Sequence, residues 1–189
     1  TLFKQGYMEV LEPRFQDGSY VNAGEPAGTW DPAQARTTFE GQYTGNQQID
    51  AVVTPNDDNA NAVISYLRTL NVPPQTFPTT GQDATLQGLQ NVLAGYQCGT
   101  VYKSIKLEAQ AAAALALFLR AGMEPPAGLV NGATPDTEGG TDVPSVLLTP
   151  IWVTPENMAA TVVADGFVDV GELCAGFEEE CSAAGIGEQ

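Results

Sequence analysis

The stretch Asp50-Ala-Val-Val-Thr-Pro-Asn56-Asp57 constrains the fold more than any other part of the chain. Three apolar residues bounded by Asp and by a Pro-Asn-Asp turn read as a short strand, buried on both faces, that delivers polar side chains at its carboxyl end. The pattern recurs: residues 76–80 precede Gly81-Gln82-Asp83, residues 98–102 precede Lys103, and the strand-like residues 19–23 lead into a loop ending at Trp30. Between these runs lie helical stretches. Asp31-Pro32 starts one that runs to about Thr44, a second capped by Asp58 keeps Ala62, Val63, Tyr66, Leu67 and Leu70 on one face, and a third spans 84–94. Strand and helix alternating in this way predict an α/β fold with a doubly wound parallel sheet. In such sheets ligands gather at the carboxyl ends of the strands. An aromatic, an amide, a carboxylate and an amine arriving there point to a small-molecule site of the polyol or sugar type.

The ends of the chain read less regularly. Residues 1–11 predict a helix already under way at the first residue and stopped near Pro13, which suggests an upstream segment. The helix expected over Ile105–Ala121 is so rich in Ala and Leu that it calls for burial on more than one side. Residues 122–144 read as a surface loop without periodicity, Ser145–Val153 as an edge or crossing strand interrupted by Pro150, and Thr154-Pro155 as the start of a last helix to about Ala164. Residues 166–189 form an acidic tail.

Charge and composition remove several classes of function. Seven Lys and Arg against 23 Asp and Glu give a formal charge of −16, which repels nucleic acid and anionic lipid. The longest apolar run, about Ala111–Leu119, is well short of the roughly 20 residues of a membrane span. With no histidine in the chain, zinc sites and Ser-His-Asp chemistry are poor readings, and no metal or cofactor is called for. Cys98 stands alone in an expected strand, where it reads as a small buried hydrophobe rather than a nucleophile.

Read in order, Gln5-Gly-Tyr-Met8, Val10-Leu-Glu-Pro13, Trp30-Asp-Pro32, Ile49-Asp-Ala-Val-Val53, Asn56-Asp57, Gly81-Gln-Asp-Ala84, Gly95-Tyr-Gln97, Thr100-Val-Tyr-Lys103 and Val143-Pro with Leu147-Leu-Thr-Pro150 resemble the ribose-type class of periplasmic sugar-binding proteins of bacterial ABC importers, its xylose-binding members above all. The resemblance covers residues 1 to about 168. It implies one lobe of a two-lobe type I periplasmic-binding-protein fold. Residues 1–103 would be the carboxyl-terminal sugar-binding lobe, 104–144 a helix and loop crossing to the amino-terminal lobe, and 145–165 a returning strand and helix. It further implies an extracytoplasmic protein, periplasmic or lipid-anchored, that binds an aldopentose such as xylose and passes it to an ABC permease. Helix 104–121 would dock on the amino-terminal lobe or on a second copy of the chain.

Carried over by position, the resemblance makes Trp30 the aromatic face under the sugar ring, and Asn56, Asp83 and Lys103 the hydrogen-bonding groups for its hydroxyls. The chemistry suits these roles. An aromatic ring packs on the C–H face of a pyranose, a carboxylate accepts from two hydroxyls, and an amide or ammonium donates. Plainer roles stay open at each position: a helix-entry staple for Trp30, a turn residue for Asn56, a cap for helix 84–94 at Asp83, and a solvated hinge residue at Lys103. Two further functions are weighed. A sugar-sensing lobe of a repressor would share the fold, and a sugar hydrolase would need paired carboxylates, with Asp83 and Asp57 as the candidates. In an exported protein, Cys174 and Cys181 are expected to pair. Seven residues apart on a continuous helix they would be about 10.5 Å apart, so Gly176 must break that helix.

Overall fold

The computed structural model describes residues 2–136 and 138–187. It divides into two compact units: Thr1–Val101 with Trp152–Gln189, and Tyr102–Ile151.

The first unit carries the helices α1 (Leu2–Gln16), α2 (Pro32–Gly45), α3 (Asp57–Thr69) and α4 (Leu86–Leu93), with strand β1 (Gly81–Gln82). Their starts follow from side-chain capping. Asp31 accepts from the Ala33 and Gln34 amides ahead of Pro32, Asn56 accepts from the Asn59 amide, and Thr85 accepts from the Gly88 amide. Asn56, not the expected Asp58, thus caps α3, and with Thr85 capping α4 the plainer reading of Asp83 as that cap falls away. Helix α1 passes through Pro13 to Gln16, so the proline does not stop it.

The first pairings of the sheet are parallel. Val52 makes an isolated parallel bridge with Thr79, and β1 pairs in parallel with β2 (Thr100–Tyr102), Gly81 opposite Thr100. The sheet is completed in the order β1, β2, β5, where β5 is Ile151–Val153. Of the expected strands, residues 98–102 give β2; residues 76–80 supply only the bridge at Thr79, with β1 falling just after them; the middle of residues 145–153 is irregular up to β5; and residues 50–54 differ in kind. Val53 is 46% exposed, so residues 50–54 are a half-covered edge and not a strand buried on both faces. Residues 19–23 run as exposed bend and coil, not as a strand, because their turns are closed locally by Asp17 and Asn22 side chains. Cys98 lies ahead of β2 and is exposed, which corrects its reading as a buried hydrophobe.

One face of the unit packs an aromatic cluster. Phe39 of α2 stands edge-on to Tyr66 of α3 at 6.1 Å and to Phe77 at 5.9 Å, with Val63 and Leu67 buried beside them. Val63, Tyr66 and Leu67 of the apolar face read for α3 thus turn to this cluster, while Leu70 lies past the end of the helix and is exposed. Leu89, Val92, Val153, Met158, Val162 and Leu173 are also fully buried. Met158 closes α6 (Pro155–Met158), which widens into a π-helical turn over Ala159–Val163, where the sequence predicts one regular helix. Leu173 belongs to α7 (Val170–Cys174), which is fastened to α4 by the Gln90 amide donating to the carbonyls of Glu172 and Leu173.

Cys174 and Cys181 form a disulfide, with Cα atoms 5.8 Å apart. Gly176 at φ +78° separates α7 from α8 (Glu178–Ala183), a left-handed backbone that glycine adopts without penalty. Closing a loop over a separation of 7 residues stabilises by about 2–3 kcal/mol through the unfolded chain. Cys174→Ser with Cys181→Ser should lower the unfolding free energy by that amount in denaturant melts. An unchanged midpoint would mean that the crosslink adds nothing to the stability of the fold.

The second unit contains α5 (Ile105–Arg120) and an antiparallel pair, β3 (Gly132–Pro135) with β4 (Asp142–Ser145). The pair replaces the structureless loop expected over 122–144. Its base is clamped by Asn131, whose amide donates to the Leu147 carbonyl at 2.9 Å and whose oxygen accepts from the Leu147 amide at 2.7 Å. Every α5 residue is exposed or half-buried, with Leu117 at 71% and Leu119 at 64%. Among the described residues, nothing supplies the burial on several sides that its composition calls for.

Candidate functional site

The carboxyl ends of the parallel segments in the first unit are organised by Asp57, which is fully buried. Its Oδ1 accepts from Gln97 Nε2 at 2.9 Å and from Thr100 Oγ1 at 2.8 Å. Its Oδ2 accepts from the Thr85 amide at 2.8 Å and from Thr85 Oγ1 at 3.2 Å. One carboxylate thus ties the start of α3 to the start of α4 and to β2. Burial pushes its pKa above the ordinary value of 3.8, against the opposing pull of these hydrogen bonds.

Two glycines make room for it. A Cβ at Gly81 would collide with Asp57 Oδ1 and Gln97 Nε2, and one at Gly88 would collide with Asp57 Oδ2. Because the carboxylate is held by four bonds it cannot swing aside. Gly81→Ala and Gly88→Ala should each cost about 1–3 kcal/mol in thermal or denaturant unfolding, and a neutral result at either position would show the network to be softer than drawn.

Asn56 and Asp83 sit on either side of this knot. Asn56 is half-buried and caps α3, so its turn role and a ligand role fall on one residue. Asp83 is half-buried and follows β1 directly. Its backbone is left-handed at φ +97°, and Ala84 follows at φ +51°. Two successive non-glycine residues in this region carry strain of roughly 1–3 kcal/mol each, tolerated where the surroundings enforce it. Here the Asp83 amide donates to the Val101 carbonyl at 2.9 Å and the Ala84 amide to Thr100 Oγ1 at 3.0 Å. These two residues lie between β1 and the cap of α4 at Thr85.

Trp30 is 63% exposed at the end of the irregular loop and meets the Phe3 ring edge-on at 6.1 Å. The loop is braced by a Lys4–Glu25 ion pair and by Asn22 Nδ2 donating to Glu25 at 2.7 Å. Lys4 is raised and Glu25 lowered from their ordinary pKa values, each chiefly by the hydrogen bond to the other. Asn59 in the first turn of α3 donates to the Thr29 carbonyl at 2.8 Å, so the loop carrying Trp30 is joined to the helix that Asn56 caps. Hydrogen bonds thus join the neighbours of Trp30, Asn56 and Asp83: Asn59 donates to the Thr29 carbonyl and its own amide to Asn56 Oδ1, while Asp57, next to Asn56, accepts from Thr85, two residues beyond Asp83. Lys103 is half-buried, follows β2 directly and belongs to the second unit.

Sequence reading missed Asp57 and Asn59 as organising residues. The signal available for Asp57 was an acid at a strand end with glycines spaced through the next two segments, but an acid beside a helix start is far more often a solvated cap.

The profile of the periplasmic binding protein domain matches residues 1–124. The chain belongs to that family. It is 40% identical over 174 residues to the D-xylose-binding periplasmic protein of Escherichia coli (strain K12), covering 91% of this chain and 51% of the relative. It is 34% identical over 170 residues to the protein of the same name from Haemophilus influenzae, covering 88% and 49%. The chain spans about half the length of the curated relatives it matches. A carbohydrate-transporter solute-binding protein from Chloroflexus aurantiacus, solved in complex with D-glucose, superposes with a TM-score of 0.74 at 23% identity, over 88% of this chain and 55% of that one. A likeness at that identity speaks for the fold, which is an α/β lobe of the type I periplasmic-binding-protein kind.

Proposed function

We propose that the chain is the carboxyl-terminal lobe of an extracytoplasmic sugar receptor that hands an aldopentose such as xylose to an ABC permease. Trp30 stacks on the ring, Asp83 accepts from two hydroxyls, and Asn56 and Lys103 complete the polar contacts. The observation that supports this reading is the set of hydrogen bonds that ties the Trp30 loop to α3 through Asn59 and ties the start of α3 to the start of α4 through Asp57. Relatives named for D-xylose at 34% and 40% identity favour a pentose. The exposed apolar residues of α5, Leu117 and Leu119, suit a helix that docks on an amino-terminal lobe, each buried leucine being worth about 1.5–3 kcal/mol. Among the described residues no helix is long and apolar enough to cross a membrane.

The paired-carboxylate alternative loses its second member, since Asp57 is fully buried and committed to four hydrogen bonds. Calorimetric titration of xylose, arabinose, ribose and glucose into a two-lobe receptor containing this chain tests the proposal. Tightest binding of xylose is expected. Tighter binding of glucose would move the specificity to hexoses, and no heat with any sugar would sink the reading.

A further inference from the structure

Asn59 is 2% exposed in the first turn of α3, and its Nδ2 donates to the Thr29 carbonyl at 2.8 Å. Its Oδ1 is buried with no hydrogen-bond partner among the described residues. A carbonyl only accepts, so the Thr29 bond fixes which way the amide points and leaves the oxygen as the unpaired atom. A buried acceptor without a partner is costly, and an apolar side chain of the same size would fill the space without that cost. What the amide alone supplies is the donor aimed at Thr29.

That donor acts on Trp30. Thr29 is held through its carbonyl by Asn59, and its Oγ1 accepts from the Asp31 amide at 3.0 Å, while Asp31 is itself fixed as the cap of α2. The backbone on both sides of Trp30 is thus anchored although the ring is 63% exposed. The other support of the ring is Phe3, itself 48% exposed. We propose that Asn59 is a positioning residue for ligand binding: it clamps the Trp30 loop to α3, so that Trp30 and the Asn56 cap three residues upstream of Asn59 keep a fixed spacing before a ligand arrives. The inference rests on reading Trp30 and Asn56 as sugar contacts. A site whose parts are held beforehand loses less freedom on binding.

Trp30 reports on the clamp directly. The chain has two tryptophans, so the Trp152→Phe form of the 189-residue chain leaves Trp30 as its single probe. Asn59→Leu removes the donor in a similar volume, and Asn59→Asp removes it in the same shape. Lower Trp30 anisotropy and greater acrylamide quenching are expected in both variants while cooperative melting is retained. In the two-lobe receptor, xylose affinity should fall about tenfold, the scale of one lost hydrogen bond. A lowered melting temperature with Trp30 anisotropy and quenching unchanged would overturn the proposal and leave Asn59 a plain structural residue. If Asn59→Leu does not melt cooperatively, Asn59→Asp carries the same comparison. Should the parent receptor bind no sugar, the functional reading fails, while the fluorescence still decides whether Asn59 holds Trp30.

Discussion

Asp57→Ala should cost about 3–5 kcal/mol of unfolding free energy, the scale expected when a buried, fully satisfied network loses its centre. The substitution strips acceptors from Gln97 Nε2, Thr100 Oγ1 and both donors of Thr85 at once. Gln97 keeps a second acceptor in the Gly99 carbonyl at 3.0 Å, and the hydroxyls can turn, but the Thr85 amide has no substitute. Asp57→Asn should cost less. Its oxygen can keep the Thr85 amide, and its new NH2 can be met by Gln97 Oε1, which has no partner among the described residues, if that amide turns over. Urea melts of the three proteins should therefore rank parent, Asn, Ala. An Ala variant within about 1 kcal/mol of the parent would show that Asp57 does not hold the strand ends together.

The same residue predicts a dependence on pH. Its folded pKa is raised above 3.8, first by desolvation, so the folded state holds this proton more tightly than the unfolded chain does. The stability that follows is fully present below pH 3.8 and is lost as the pH rises through the folded value. Parent minus Asp57→Asn stability, in which the other titrations cancel, should therefore decline as the pH rises across that window. A difference that grows with pH would mean that the four hydrogen bonds outweigh burial.

The parts of the fold legible in the sequence are those set by local chemistry. Asp31-Pro32 opens a helix because the cap and the fixed φ act within one turn, and the period of Val63, Tyr66 and Leu67 reports the buried face of α3 directly. The parallel order of the strands follows from alternation alone. What escaped depends on groups far apart in sequence. The choice between Asn56 and Asp58 as cap is made by Asp57, whose carboxylate is drawn inward by Thr85, Gln97 and Thr100 and takes the helix start with it. Residues 19–23 have the composition of a strand, yet the Asp17 and Asn22 side chains give that backbone local partners instead of a ladder. Cys98 looked buried because it was read as strand, while the ladder begins two residues later at Thr100. The apolar excess of α5 calls for burial on several sides, and composition does not say what would supply it. At the site, the residue types at the strand ends were legible; the hydrogen bonds that join their neighbours, through Asp57 and Asn59, were not.

The largest functional effect should come from Asp83. In a two-lobe receptor containing this chain, Asp83→Ala is expected to weaken xylose binding by about a hundredfold or more, since a carboxylate that accepts from two hydroxyls makes charge-assisted bonds worth roughly 1.5–3 kcal/mol each. Trp30→Ala should weaken it by about tenfold or more through lost ring contact alone. The two losses should differ in kind. Asp83 holds a strained backbone at φ +97°, so Asp83→Gly should melt higher than Asp83→Ala, which lacks the same carboxylate but keeps the strain, while both lose most of the affinity. Trp30→Ala, at an exposed ring, should leave the melting temperature nearly unchanged. Calorimetry and thermal melts on the same three variants separate these cases. If Asp83→Gly melts above Asp83→Ala and binds xylose as tightly as the parent, then the strain serves the turn into α4 and the sugar hydroxyls are read elsewhere; if it melts above Asp83→Ala and binds poorly, stability has been given up at this position for recognition.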